Sequence, residues 1–152
     1  MNRFPAHFHL FAGAGNVKAI RSYLHAEGVL DRVRFLGQVG DTATLLGVVD
    51  VYLASFPKCS SQQILETMAA GKPVVVMGSL PDSSLNSGAE LVGVDELTAP
   101  TDANYIQIAD GLLRSPGLRS KYGEVLLERF SSQFRPERLG ERYKAFLDSV
   151  VL

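Results

Sequence analysis

The order of segments between Val33 and Gly78 restricts this chain to very few folds. Val33–Gly37 reads as an apolar strand ending in glycine, and Asp41 opens a short helix in which Leu45, Leu46 and Val49 recur at helical spacing. Val51–Ala54 is a second apolar run, and a loop carrying Pro57 and two serines leads into a helix over about Ser61–Ala70. Gly71-Lys72-Pro73 stops that helix, and Val74–Met77 follows with no polar residue to face water. A continuous apolar strand set between helices belongs in a parallel sheet covered on both faces. The alternation predicts an α/β fold, a Rossmann-like parallel sheet flanked by helices, with right-handed crossovers.

The flanks extend the pattern. Phe8–Ala12 reads as a strand, Gly13-Ala14-Gly15 as a tight turn, and Asn16 as the cap of a helix running to Glu27. That helix has Val17, Ile20 and Leu24 on one face and Gly28 as its stop. Gly78–Gly88 is a loop by composition; Glu90–Val94 and Leu97–Ala99 are strand candidates, one of which supplies a fifth strand. In chain order the strands are expected to lie 2-1-3-4-5, with strands 1 and 3 either closing up as neighbours or leaving a gap that another chain fills.

Three helices close the chain as a C-terminal helical segment. Asp102 caps the first, with Ile106, Ala109, Leu112 and Leu113 inward; Pro116 opens the second, with Leu118, Tyr122, Val125 and Leu126 inward. Pro136 opens the third, with Leu139, Tyr143, Phe146, Leu147 and Val150 inward. With no repeat or linker, residues 1–152 are read as a single domain.

Composition narrows the partners. A net charge of -1 gives no reason to expect nucleic acid. The charge is uneven: the last 39 residues carry eight Lys or Arg against five acids, and the rest of the chain is at -4. A solvated helical face explains that bias, as does contact with an acidic partner or a peripheral membrane surface. Cys59 is the single cysteine, which excludes an intrachain disulfide and suits a reducing compartment. No apolar run reaches the ~18 residues that span a bilayer, and the first residues lack the apolar core of a signal peptide. A cytoplasmic location is expected.

The chemistry centres on the helix after Pro57. Amides in a helix's first turn, with the positive end of its dipole, attract a diphosphate. Ser60 and Ser61 are small enough for close approach, and Lys58 offers a counter-charge; plain N-capping by either serine is the alternative. Glu66 lies about a turn and a half further on, where a carboxylate can accept both hydroxyls of a ribose or simply be solvated. Gly13 and Gly15 invite a dinucleotide reading, but Lys18 stands where the third glycine should be and no acid ends the strand at Leu36-Gly37. They remain either turn glycines or a nucleotide-facing turn. His7 and His9 share a strand face without a convincing third metal ligand, and Cys59 has no base paired with it in sequence.

The segment Ile64–Val76, ILETMAAGKPVVV, resembles the "LEAMAxGxPVV" signature of GT-B glycosyltransferases. Val33–Gly37 resembles their "VxFLG", and Leu10–Gly15 their "hhxGxG" strand and turn. The resemblance implies the donor-binding half of a GT-B architecture, with Glu66 on the ribose of a UDP-sugar. It also implies that amides near Ser61, Gln62 and Gln63 hold the diphosphate, and that Ser83, Ser84 and Asn86 lie near the donor, ordinary loop polarity being the alternative for these three. Many retaining members have a second Glu where this chain has Lys58. The stretch Gly88–Leu126 resembles the O-GlcNAc-transferase-like branch instead, which favours inversion. No cofactor or metal is implied, since helix amides and basic side chains can offset the leaving diphosphate. The expected partner is the acceptor-binding N-terminal domain, or a separate chain replacing it. The alternative to an enzyme is a non-catalytic nucleotide-sugar-binding module.

Overall fold

The computed structural model describes residues 6–13, 16–78 and 88–150. Two units make up the chain, Met1–Thr42 and Ala43–Leu152.

In the first unit, strand β1 (His9–Ala12) pairs in parallel with β2 (Val33–Gly37), and helix α1 (Val17–Ala26) joins them. The register runs His9 to Val33, Leu10 to Arg34 and Phe11 to Phe35, then steps past Leu36 to pair Ala12 with Gly37. As expected, Asn16 caps α1, its side chain accepting from the Ala19 amide at 3.2 Å. Val17, Ile20 and Leu24 are half-buried, whereas Val29 and Val33 are buried outright. The Phe11 and Phe35 rings sit 5.4 Å apart, and the Arg21 guanidinium lies 4.3 Å over Phe35.

The second unit is built on β4 (Val74–Met77), which is buried along its whole length and pairs in parallel with β3 (Tyr52–Leu53) and β5 (Thr98–Ala99). Tyr52 stands opposite Val74, and Val76 opposite Thr98. Helix α2 (Thr42–Val48) precedes β3, and α3 (Ser61–Ala69) lies between β3 and β4. Ile64 and Met68 of α3 are fully buried against the sheet. The Thr67 hydroxyl, also buried, donates to the Gln63 carbonyl at 2.6 Å, so the core carries no cost for it. Helices α4 (Ala89–Val92), α5 (Asp102–Arg114), α6 (Pro116–Gln133) and α7 (Pro136–Val150) complete the unit.

One close approach sets the packing of α6 on α3. Gly71 ends α3 with φ +65, and a Cβ at Gly123 would run into the Gly71 carbonyl oxygen. Two arginines of α6 then serve other helix ends. Arg129 donates to the carbonyls of Leu91 (2.8 Å) and Glu90 (2.9 Å), and Arg119 to those of Leu112 (2.9 Å) and Leu113 (3.2 Å). Cations there satisfy orphan carbonyls and oppose the negative end of the dipole. With Arg114 on Asp110 and Arg138 on Glu141, at least four of the eight basic residues behind the sequence's charge bias have acceptors among the described residues.

Several sequence expectations need correcting. The strands form two ladders, β1-β2 and β3-β4-β5, and no ladder joins β1 to β3 among the described residues, so of the two arrangements expected, the one in which these strands pair directly is not formed. The short β3, two residues long, pairs with β4. Glu90–Val94 is not a strand: its first residues lie in α4, held between Gly88 and Gly93, both in the left-handed region. Thr101, not Asp102, caps α5, its Oγ1 accepting from the Asn104 amide at 3.3 Å. Ile106, Leu118 and Val125 are exposed; the inward faces carry Tyr105, Ile108 and Leu112 on α5, and Tyr122, Leu126 and Phe130 on α6. The α7 residues expected inward are all exposed.

Candidate functional site

β3 delivers the chain to the carboxyl edge of its ladder, and the loop that follows is fixed before α3 begins. Ser55 Oγ donates to the Lys58 carbonyl at 2.7 Å, closing the loop into an arch. Ser60 then caps α3: its backbone is extended, its Oγ accepts from the Gln63 amide at 3.3 Å, and its carbonyl takes the Ile64 amide at 3.1 Å. The Gln62 amide, which the cap does not use, lies at the positive end of the helix dipole.

Glu66 lies further along the same helix. Its Oε1 accepts from Gln62 Nε2 at 2.8 Å, whereas Oε2 is buried and has no hydrogen-bond partner among the described residues. A buried acceptor without a donor costs about 1–3 kcal/mol, more when charged. Gln63 is turned to a different partner: Tyr52 donates its hydroxyl to Gln63 Oε1 at 2.8 Å and so ties the opening of α3 to β3. Burial pushes the Tyr52 phenol up to about 12, with a smaller contribution from Cys59, so it remains a donor.

A second tyrosine holds the arch from α5. Tyr105 donates to the Ala54 carbonyl at 2.7 Å, and its ring meets Phe56 edge to face, with centroids 5.3 Å apart. Burial raises the Tyr105 phenol above its ordinary range, so it too stays protonated. Phe56 remains 44% exposed.

Of the residues singled out from sequence, Ser60, Ser61, Gln62, Gln63 and Glu66 come together at the opening of α3, and Lys58 is exposed on the arch before it. Gly13 belongs to the first unit, where it has φ +119 and donates its amide to the Gly37 carbonyl at 2.7 Å. Gly15, Ser83, Ser84 and Asn86 lie outside the described residues. Burial pushes the Cys59 thiol up, the opposite of what activates a nucleophile. Phe56, Tyr52 and Tyr105 were not singled out for the site, because their contacts join residues far apart in the chain.

A concavity of about 400 Å³ lies elsewhere, between the turn Asp95–Leu97, α5 and the start of α6. Asp95 and Glu96 in its wall have the wrong sign for a phosphate group, so the opening of α3 is the stronger candidate.

Residues 2–114 match the family described as glycosyl transferases group 1. The chain belongs to this family. A search of the curated proteins returns no match. Among solved structures, this group 1 chain is similar to Anabaena HepE, solved in complex with UDP, at 20% identity and a TM-score of 0.78 over 95% of this chain and 42% of that one. It is also similar to a glycosyltransferase from Rickettsia africae, at 15% identity and a TM-score of 0.78 over 95% and 40% of the two chains. A mutant of the Thermobaculum terrenum O-GlcNAc transferase matches at 21% identity and a TM-score of 0.70 over 93% and 36%. At these identities the likeness is one of fold: half of a GT-B architecture, α/β, with parallel sheets flanked by helices. The group 1 chain spans well under half the length of each of these structures.

Proposed function

We propose that this chain binds a UDP-sugar as the donor-binding part of a two-domain glycosyltransferase. The observation that carries the reading is the Glu66 carboxyl group at the opening of α3. Among the described residues, one of its oxygens is held by the exposed Gln62 side-chain amide and the other has no partner. A ribose brings two adjacent hydroxyl donors, which match that pair of acceptors once the Gln62 side chain swings away. With the ribose on Glu66, the diphosphate lies along the first turn of α3, at the Gln62 amide and the dipole's positive end. Lys58 stands on the arch just before it as a cation for the leaving group. HepE, of similar fold, was solved with UDP and with UDP and glucose, which supports a uridine nucleotide as the first ligand to try.

In this reading, sugar transfer belongs to the complete enzyme. There an acceptor-binding domain closes over the sugar and excludes water. This chain's own residues bind the nucleotide, fix its orientation and offset charge as the diphosphate departs. Calorimetric titration with UDP tests the assignment. Wild type is expected to bind saturably, and Glu66→Ala to bind about 1–3 kcal/mol more weakly through lost charge-assisted hydrogen bonds. Equal affinities would remove Glu66 from the site.

A further inference from the structure

We infer that Phe56 is the platform on which the hexose ring of the donor stacks, and so a specificity-determining residue of the site. The inference rests on the nucleotide reading above and goes beyond it. Glu66 and Ser61 are five residues apart on one helix, about 7.5 Å along its axis, the reach of a ribose joined to two phosphates. A donor laid from Glu66 to the first turn therefore carries its sugar past the start of α3. What lies there is the arch from Ser55 to Cys59.

Most of that arch is polar or backbone, and Phe56 is its one large apolar ring. The ring is 44% exposed yet held in place: Tyr105 packs against it edge to face, and the Tyr105 hydroxyl is anchored on the Ala54 carbonyl two residues before it. Ser55 and Lys58 close the backbone on either side of it. An exposed aromatic ring with its orientation already fixed loses little freedom on binding. One face of a hexopyranose, with its row of axial C–H groups, meets the electron-rich face of such a ring favourably, whereas a phosphate does not.

The test compares UDP with UDP-glucose and UDP-N-acetylglucosamine by calorimetry on the full chain, in wild type, Phe56→Leu and Phe56→Tyr. Leucine keeps apolar bulk against Tyr105 and removes the aromatic face; tyrosine keeps both. Phe56→Leu is expected to weaken binding of at least one UDP-sugar by about three- to tenfold with UDP affinity unchanged, and Phe56→Tyr to restore it. Equal weakening of UDP and UDP-sugars would place the ring under the nucleotide, and no weakening of either sugar would remove it from the site; both results overturn the inference alone. A wild-type chain that binds none of the three overturns the nucleotide reading and the inference with it.

Discussion

At the residue scale, two phenols decide how the candidate site is held. Tyr52 ties Gln63 to β3, Tyr105 ties the arch to α5, and both are buried enough to remain donors. Their partners lie 11 and 51 residues away, so neither bond leaves a trace in local sequence patterning. The Ser60 cap was legible because a small capping residue directly precedes the helix; the packing of Phe56 on Tyr105 was not, because the two are far apart in the chain. A different residue carries a pH dependence. Burial lowers the His9 pKa beneath its ordinary 6.5, so the unfolded chain takes up the proton first. Stability from this group is therefore fully present above about pH 6.5 and is lost as pH falls from there through the lowered folded value. Urea unfolding at pH 7.5 and 5.5 is expected to show a smaller loss of stability on acidification in His9→Gln than in wild type. An identical loss would show that His9 does not contribute.

At the element scale, sequence patterning succeeded where an element is long or bounded by strong stops. Gly71-Lys72-Pro73 and the unbroken apolar Val74–Met77 located α3 and β4 almost to the residue. It failed at α4, whose four residues are too few for a helical period to show. On α5 it placed Ala109 and Leu112 inward correctly but not Ile106, which is turned to water while Tyr105, next to it, takes the inward place. The Gly123 contact is likewise invisible in sequence, since any small residue suits a helix there. Gly123→Ala is expected to destabilise the chain by about 1–3 kcal/mol or more through overpacking, read from the urea midpoint; an unchanged midpoint would show that α3 and α6 separate freely. Helix α7 leaves Leu139, Tyr143, Phe146, Leu147 and Val150 exposed and buries none of its residues. Its amides are expected to exchange with solvent faster than those of β4, because few apolar contacts hold it down. Exchange as slow as in the buried strand would mean that α7 is docked more firmly than its exposure indicates.

At the scale of the whole molecule, the fold class followed from the alternation of strand and helix, but whether strands β1 and β3 pair or stay in separate ladders did not. Periodicity reports which residues form strands, and it says nothing about which strands become neighbours. Among the described residues no helix is long and apolar enough to cross a membrane, and at least four of the eight C-terminal cations have acceptors. The central proposal is that Glu66 holds the two ribose hydroxyls of a uridine nucleotide. The direct measurement is a double cycle: titrate UDP and 2′,3′-dideoxy-UDP against wild type and Glu66→Ala. Wild type is expected to prefer UDP by about 1–3 kcal/mol, and Glu66→Ala to bind the two nucleotides equally. A preference that survives in Glu66→Ala would contradict the account, because the hydroxyls would then be read elsewhere.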